Sequence, residues 1–239
     1  MKFKDNKYET TKSAICRETD MSNNFKFIFF GQTVLRYRAP TSIVNQINSI
    51  YETMKHKKKL PTMRNNLIGK ITSEHSLFWG SNNESTVKKH NFLNEDIMNF
   101  FKETVVHYLE WNKVKQYKYK FNSVWVNEMK AGEYNPLHMH EGDVSTGLSS
   151  VMFLKIPKSY GKETTRSDSP HNGQLTIMGN STGQFSKMGY MPGDLQPGDF
   201  FIFPYDIMHS VMPYKGKEVR RTLAMNVDVT YSFMKTALQ

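Results

Sequence analysis

The spacing of apolar residues divides the chain into a first half with helical periodicity and a second half of short strands. In two segments of the first half, apolar residues recur every three or four positions, which predicts two amphipathic helices. The first helix is expected to begin near residues 40–42. The second is expected to begin near Asn94, a residue type that favours helix N-termini. The predicted core-facing residues are Ile43, Val44, Ile47, Ile50, Tyr51 and Met54 in the first helix, and Ile97, Met98, Phe101, Val105, Tyr108 and Leu109 in the second.

From about residue 121, short apolar runs alternate with Gly, Pro, Asn and Asp. Most of these runs are too short for helices, and their spacing is typical of antiparallel strands in a jelly roll. Residues 25–37 carry aromatic and β-branched side chains that also favour a strand. Residues 1–24 lack periodicity and predict a loose polar extension. We therefore expect one mainly-β domain over residues 25–239, supported by the N-terminal helices.

Composition restricts the location and the partners of the protein. The 239 residues carry a net charge of +10, but the basic residues are dispersed rather than gathered in one tail, which favours a basic soluble surface over a nucleic-acid module. No apolar run approaches the roughly 20 residues of a membrane helix, and no signal peptide is evident. We therefore expect a cytoplasmic protein without a membrane contact. The single cysteine, Cys16, excludes an internal disulfide framework, and no disulfide-linked partner is expected.

Three histidines stand in an arrangement that suggests a metal site. His138 and His140 are two residues apart, so in a strand both imidazoles point to the same side. His209 follows a Pro-Gly-Asp turn and an apolar strand at residues 197–204. Two ligands from one strand and a distant third leave open positions on the metal, as non-haem Fe(II) requires. The alternatives are a surface H-x-H pair and a buried, hydrogen-bonded His209; the combination of all three favours the metal.

This region resembles the cupins in part. Residues 132–140 resemble the first half of the first cupin motif, and residues 198–209 resemble most of the second. No Glu stands three or four residues beyond His140. Asp206 replaces a Gly of the second motif, and the terminal Asn after His209 is missing.

The same region is similar to the iron(II)- and 2-oxoglutarate-dependent oxygenases, most of all to prolyl-hydroxylase-like members from marine bacteria and their phages. The resemblance covers about residues 121–229 and is weaker at residues 25–54. The motifs that carry it are Trp125-x-Asn127, a Gly before the H-x-H, the Ser-rich strand at 149–157, Pro197-Gly-Asp, Phe203-Pro, His209-x-Val-x-Pro213 and Arg221-Thr-Leu-Ala-Met-Asn226.

The resemblance implies a double-stranded β-helix (jelly roll) with the metal site in about residues 121–229. It implies an enzyme that uses Fe(II), 2-oxoglutarate and O₂ to hydroxylate an unidentified substrate, with release of succinate and CO₂. The family's distal histidine corresponds to His209. Asn127 and Asn226 are expected either to hydrogen-bond near the cosubstrate or to tie strands together. The expected location is the cytoplasm of a bacterium or of a phage-infected host.

The family's later arginine, which holds the far carboxylate of 2-oxoglutarate, corresponds to Arg221. An arginine suits this role because it binds a carboxylate with two hydrogen bonds, and a cupin needs no such residue. Alternation along the strand predicts that Arg221 points inward with Leu223 and Met225, and that Arg220 points to the opposite face. The alternative is that both arginines are only the charged entry to a strand.

The H-x-H motif departs from the wider oxygenase family, in which most members have His-x-Asp or His-x-Glu. His140 either takes the place of the carboxylate or lines the site without binding iron. In the second case Asp143 or Glu141 would supply the acid from the following turn. We favour His138, His140 and His209 as the metal ligands, with Asp143 as the alternative carboxylate.

Two other functions remain open from the sequence. One is a cupin-like metalloenzyme that does not use 2-oxoglutarate. The other is a non-catalytic metal-binding jelly roll, such as a virion-associated protein. The substrate could be a peptide, a nucleic acid or a small metabolite, and the oligomeric state is undetermined.

Overall fold

Most of the chain from residue 32 onward is described by the structure, a computed structural model. The described residues are 32–63, 68–82, 87–158, 172–179 and 189–231. The expected extension over residues 1–24 and the beginning of the strand expected at 25–37 lie outside them.

Two helices and eleven strands form within the described residues. In chain order they are β1 Leu35–Arg38, α1 Thr41–His56, β2 Ser73–Trp79, β3 His90–Asn91, α2 Glu95–Trp111, β4 Tyr117–Met129, β5 Asn135–His138, β6 Gly147–Lys155, β7 Leu175–Met178, β8 Gly189–Tyr190, β9 Asp199–Pro204, β10 Met208–Val211 and β11 Arg220–Tyr231. The strands pair antiparallel in a seven-stranded sheet, β1-β9-β6-β11-β4-β2-β3, and a four-stranded sheet, β5-β10-β7-β8. The predicted mainly-β jelly roll with supporting helices is confirmed.

The large sheet is buried on both faces, and β9 shows why. Its side chains alternate between two hydrophobic cores. Phe200 and Ile202 join the core shared with the helices. Phe201 and Phe203 join a second core that also contains Leu175 of the small sheet. The apolar sequence of β9 therefore fits a strand covered on both sides.

The two helices form where the apolar periodicity predicts them. Helix α1 follows Pro40 and buries the expected Ile43, Val44, Ile47 and Tyr51. Helix α2 follows Asn94, whose side-chain Oδ1 accepts a hydrogen bond from the Ile97 backbone N–H at 3.1 Å. Both helices pack their apolar faces in the core on one side of the large sheet. In the described part of the chain, no helix has the length and apolarity needed to cross a membrane.

A buried carboxylate fixes the edge of the large sheet. Asp199, at the start of β9, is 1% exposed and forms ion pairs with Arg36 and Arg38 of β1, each at 3.0 Å. The preceding Gly198 has a φ of +95°, a backbone conformation that favours glycine. The Pro-Gly-Asp sequence thus supplies both the turn into β9 and the charge that pairs β1 with it.

The cap of α2 gives a direct test of this part of the fold. We expect Asn94→Ala to lower the free energy of unfolding by about 1 kcal/mol, since the Ile97 N–H loses its acceptor. Asn94→Asp should retain most of the stability. Urea denaturation measures the difference. Asn99→Ala, an exposed position inside the same helix, is the control and should cost nothing, because alanine is the better helix former. Equal losses at both positions would contradict a capping role for Asn94.

Candidate metal centre

The three histidines meet where β5 and β10 pair. His138 is the last residue of β5 and lies directly opposite His209 of β10. His140 lies just beyond the end of β5, not within a strand as expected. Its backbone N–H donates a hydrogen bond of 3.0 Å to the carbonyl oxygen of Tyr205, which fixes the chain after the strand. The predicted convergence of the imidazoles therefore occurs, although the strand covers only the first histidine of the pair.

The geometry of the histidine cluster fits a single metal ion. His138, His140 and His209 each offer one ring nitrogen, and these atoms all lie within 4.8 Å of one another. The Nε2 atoms of His140 and His209 are 3.2 Å apart. Ligand nitrogens at about 2.1 Å from one metal and at right angles to each other are about 3 Å apart. The cluster is therefore close to the spacing that coordination requires.

Backbone carbonyls orient two of the rings. The Nδ1 of His138 lies 2.7 Å from the carbonyl oxygen of Pro136, and that of His209 lies 3.1 Å from the carbonyl oxygen of Ile207. Because a carbonyl oxygen only accepts hydrogen bonds, these contacts place the proton on Nδ1. Each Nε2 then carries a lone pair, which is the form of imidazole that binds metals. In His138 this atom also lies 3.3 Å from the Nδ2 of Asn135.

Burial keeps the three imidazoles neutral. Loss of hydration lowers the pKa of His138 and His140 below the usual value, and the neighbouring imidazoles lower that of His140 further. Burial, assisted by His138, lowers the pKa of His209 to about 3. Protons therefore compete weakly with a metal for these nitrogens at neutral pH. Three neutral imidazoles with open positions are a donor set that suits Fe(II).

The turn after His140 is held by buried polar groups. A side chain at Gly142 would lie 1.9 Å from Asp228 Oδ1, so the turn can approach β11 only with glycine at this position. The backbone N–H of Asp143 donates to Asp228 Oδ2 at 3.1 Å. The carboxylate of Asp143 accepts hydrogen bonds from Lys120, from the Ser81 hydroxyl and from the Asn82 backbone N–H. The turn is therefore tied to β4 and β11.

Neither acid suggested as an alternative ligand lies in the histidine cluster. Asp143 uses its carboxylate in the contacts just described, and Glu141 is exposed. The described residues that form a metal-binding group here are the three histidines alone. The sequence-based alternative of a carboxylate from Asp143 thus finds no support in its position.

The histidines and Arg220 line the same pocket. The lining residues are Ile71, Trp125, Asn127, Met129, Asn135, His138, His140, Ser150, Val151, His209, Val211, Arg220, Thr222 and Ala224. Arg220 is 1% exposed, and its guanidinium carbon lies 4.8 Å from the centre of the Phe153 ring. The pocket therefore combines three neutral imidazoles with a buried cation.

Arg221 does not face this pocket, which corrects the orientation expected from the sequence. Its guanidinium donates to Glu128 Oε1 at 2.6 and 3.0 Å and to Asn48 Oδ1 at 2.8 Å, and it pairs with Glu52. Burial alone would raise the pKa of Glu128, but hydrogen bonds from Lys55 and Arg221 outweigh it and lower this pKa to about 2. Arg221 thus ties α1 to the helix-covered face of the sheet.

The alternation along β11 explains the reversal. Leu223 and Met225 share the face of Arg221, as expected, but this face belongs to the core shared with the helices. Thr222 and Ala224 share the face of Arg220 and line the pocket. The structure shows that the bulky apolar face meets the helices, whereas the small and polar face lines the site.

The two asparagines occupy different positions near the centre. Asn127 lines the pocket, and its Oδ1 is buried with no hydrogen-bond partner among the described residues. Asn226 lies against His140, with its Nδ2 3.3 Å from the Nδ1 of that histidine. Only Asn127 is therefore placed to reach a molecule inside the pocket directly.

Comparisons with known proteins show what this region of the chain is similar to. A family model described as putative 2OG-Fe(II) oxygenase matches residues 123–226. No curated protein matches the chain significantly.

Solved structures with a similar fold are distant in sequence. A Pseudomonas putida prolyl-4-hydroxylase is 11% identical with a TM-score of 0.51, over 82% of this chain and 91% of that one. A Burkholderia pseudomallei oxidoreductase of the 2OG-Fe(II) oxygenase family is 9% identical with a TM-score of 0.50, over 82% and 84%. A Trichoplax adhaerens prolyl hydroxylase, in complex with a hypoxia inducible factor peptide fragment, is 11% identical with a TM-score of 0.51, over 83% of each chain. At these identities the similarity shows a common fold.

The stretch matched by the family model runs from β4 to β11. It contains His138, His140, His209 and Arg220, the three imidazoles and the guanidinium that line the pocket. Enzymes of this family use Fe(II), 2-oxoglutarate and O₂. Residues 123–226 of this chain thus match the model of the 2-oxoglutarate- and Fe(II)-dependent oxygenases over the stretch that forms the pocket.

Proposed function

We propose that the protein is an Fe(II)- and 2-oxoglutarate-dependent dioxygenase that hydroxylates its substrate. The observation that carries the proposal is that His138, His140 and His209 line the same pocket as the buried Arg220. A metal and a dicarboxylate can therefore be held side by side. When bound, iron with 2-oxoglutarate and O₂ supplies the oxidising chemistry, and succinate and CO₂ are released.

In this proposal, the three histidines hold the metal through their Nε2 atoms. Two of the rings are already oriented by backbone carbonyls, so little side-chain entropy remains to be lost on binding. Without a carboxylate ligand, the centre carries one negative charge less than the usual site. An anionic cosubstrate is therefore attracted more strongly to it, since the metal charge is less neutralised.

Arg220, in place of Arg221, binds the far carboxylate of 2-oxoglutarate. Its backbone N–H donates to the hydroxyl oxygen of Tyr214 at 3.2 Å, which holds the main chain, and its guanidinium packs over Phe153, which orients the side chain. A buried guanidinium binds a carboxylate with two parallel hydrogen bonds, and the interaction is strong where water is excluded. Arg221 is unsuited to this role because its guanidinium already donates hydrogen bonds to Glu128 and Asn48 on the other face of the sheet.

Apolar walls complete the pocket. Ile71, Val151 and Val211 line it and keep water from the bound cosubstrate. Asn127 offers an amide that can hydrogen-bond to the cosubstrate or to the substrate. Because the Trichoplax enzyme was solved with a peptide fragment, peptides are the substrate class to screen first, followed by small metabolites and nucleic acids. A cupin-like or non-catalytic protein is not favoured, since the family match is to oxygenases.

The metal site and the reaction can be tested together. We expect the purified protein to bind one Fe(II), or Co(II) as a substitute, and to form succinate from 2-oxoglutarate in the presence of Fe(II) and O₂. His209→Ala should abolish stoichiometric metal binding and succinate formation, because two of three ligands do not hold the ion. Calorimetry and a succinate assay measure these outcomes.

His56→Ala, an exposed position at the end of α1, is the control and should behave as the wild type. Full metal content in His209→Ala would contradict the assignment of His209 as a metal ligand. The proposed reaction would be contradicted if the wild-type protein bound Fe(II) and 2-oxoglutarate but formed no succinate, even with candidate substrates.

The two neighbouring arginines allow a matched test of cosubstrate binding. We expect Arg220→Ala to weaken 2-oxoglutarate binding by about 30-fold to several thousand-fold, which corresponds to about 2–5 kcal/mol for truncating one partner of a buried charge pair. Arg220→Lys should lie between the alanine variant and the wild type, since the ammonium keeps the charge but loses the paired hydrogen bonds. Calorimetry on the Mn(II)-loaded protein measures both.

Arg221→Lys is the control for this test. The lysine keeps a charge beside Glu128, so the fold is preserved, and 2-oxoglutarate affinity should stay at the wild-type level. If the effects were reversed, with Arg221→Lys weakened and Arg220→Lys unchanged, the assignment of Arg220 would be wrong.

A further inference from the structure

His140 differs from the other two histidines in what its Nδ1 contacts. In His138 and His209, Nδ1 lies against the backbone carbonyl oxygen of the residue two positions earlier, at 2.7 and 3.1 Å. In His140, the neighbour of Nδ1 is a side-chain amide, that of Asn226, with Nδ2 at 3.3 Å. The proton of the His140 ring is therefore controlled by a group that can both donate and accept.

The amide can face the ring in two ways, and only one is compatible with metal binding through Nε2. With Nδ2 toward the ring, Asn226 donates to Nδ1, and the ring proton lies on Nε2, which is 3.2 Å from Nε2 of His209. With Oδ1 toward the ring, Asn226 accepts from Nδ1–H, and the lone pair of Nε2 is available to the metal.

Rotating the Asn226 amide by half a turn breaks no hydrogen bond of Oδ1. The Oδ1 of Asn226 is buried and has no hydrogen-bond partner within the described part of the chain. The two ends of an amide group are nearly equal in size, so the turn needs no repacking. The backbone of Asn226 is held between two strands, opposite Ser149 of β6 and Ser123 of β4. The side chain can therefore change its hydrogen bond while its position stays fixed.

We propose that Asn226 is a positioning residue of the metal centre, whose Oδ1 accepts a hydrogen bond from Nδ1–H of His140. A carboxylate ligand has no tautomers and needs no such partner. A histidine in the same position needs a partner that holds its proton on Nδ1. Asn226 thereby permits His140 to take the position that an acid fills in most of the wider family. The proposal rests on the proposed function only in that His140 binds the metal.

Two substitutions separate an accepting role from a donating or purely structural one. Asn226→Leu removes the acceptor at similar size and is expected to weaken Co(II) binding by about 10- to 100-fold, the usual effect of losing a partner of a metal-bound histidine. Asn226→Asp keeps the acceptor and should bind Co(II) at least as tightly as the wild type. Calorimetry gives the affinities, and the Co(II) absorption spectrum reports the ligand field. Thermal unfolding confirms that each variant is folded.

Ser149→Ala is the matched control, because Ser149 is also buried and lies directly opposite Asn226. It should leave Co(II) affinity unchanged. A direct readout in the wild type is the ¹H–¹⁵N spectrum of the imidazoles in the Zn(II)-loaded protein, in which His140 should carry its proton on Nδ1.

The outcomes distinguish this inference from the proposed function. Wild-type affinity in Asn226→Leu, equal weakening in Asn226→Asp and Asn226→Leu, or a His140 proton on Nε2 would each overturn the role of Asn226 while leaving metal binding intact. A wild-type protein that binds no Co(II) would overturn the proposed function, and this inference with it.

Discussion

Each central strand of the large sheet contributes side chains to two separate interiors, because helices cover one face of the sheet and the small sheet covers the other. The two-residue period of a strand divides its side chains between them. In β9 both sets are large and apolar, so the strand contributes to two cores. In β11 the sets differ: one is apolar and packs against the helices, and the other is small or polar and lines the pocket. The pocket exists because one face of β11 leaves space that bulky side chains would fill.

The same constraint gives two adjacent arginines different environments. Arg221 lies on the helix-covered face, where a buried cation is tolerated because Glu128 and Asn48 bind it. Its ion pair is present above the usual pKa of a glutamate and is lost as the pH falls toward the lowered pKa of Glu128, about 2. Arg220 lies on the pocket side, near the histidines. Two adjacent arginines thus lie on opposite faces of the sheet, one bound to a buried acid and the other lining the pocket.

How much could be predicted from the sequence depended on whether the signal was local. Periodic apolar stripes identified α1 and α2, and the capping role of Asn94 was correct. Strand β2 was missed because its inward residues include Glu74 and Ser76, which break the apolar alternation. The assignment of Arg221 to the pocket was wrong, since alternation shows which residues share a face but not which layer covers that face. The contact of Asn226 with His140 joins residues 86 positions apart and had no local signal.

We propose that three histidines and Arg220 hold a metal and 2-oxoglutarate in one pocket. The most direct measurement is a crystal structure of the protein with Mn(II) and 2-oxoglutarate, prepared without oxygen. We expect Mn(II) to be bound by the Nε2 atoms of His138, His140 and His209, and the far carboxylate of 2-oxoglutarate to pair with Arg220. Mn(II) bound by Asp143, or a carboxylate that does not reach Arg220, would contradict it.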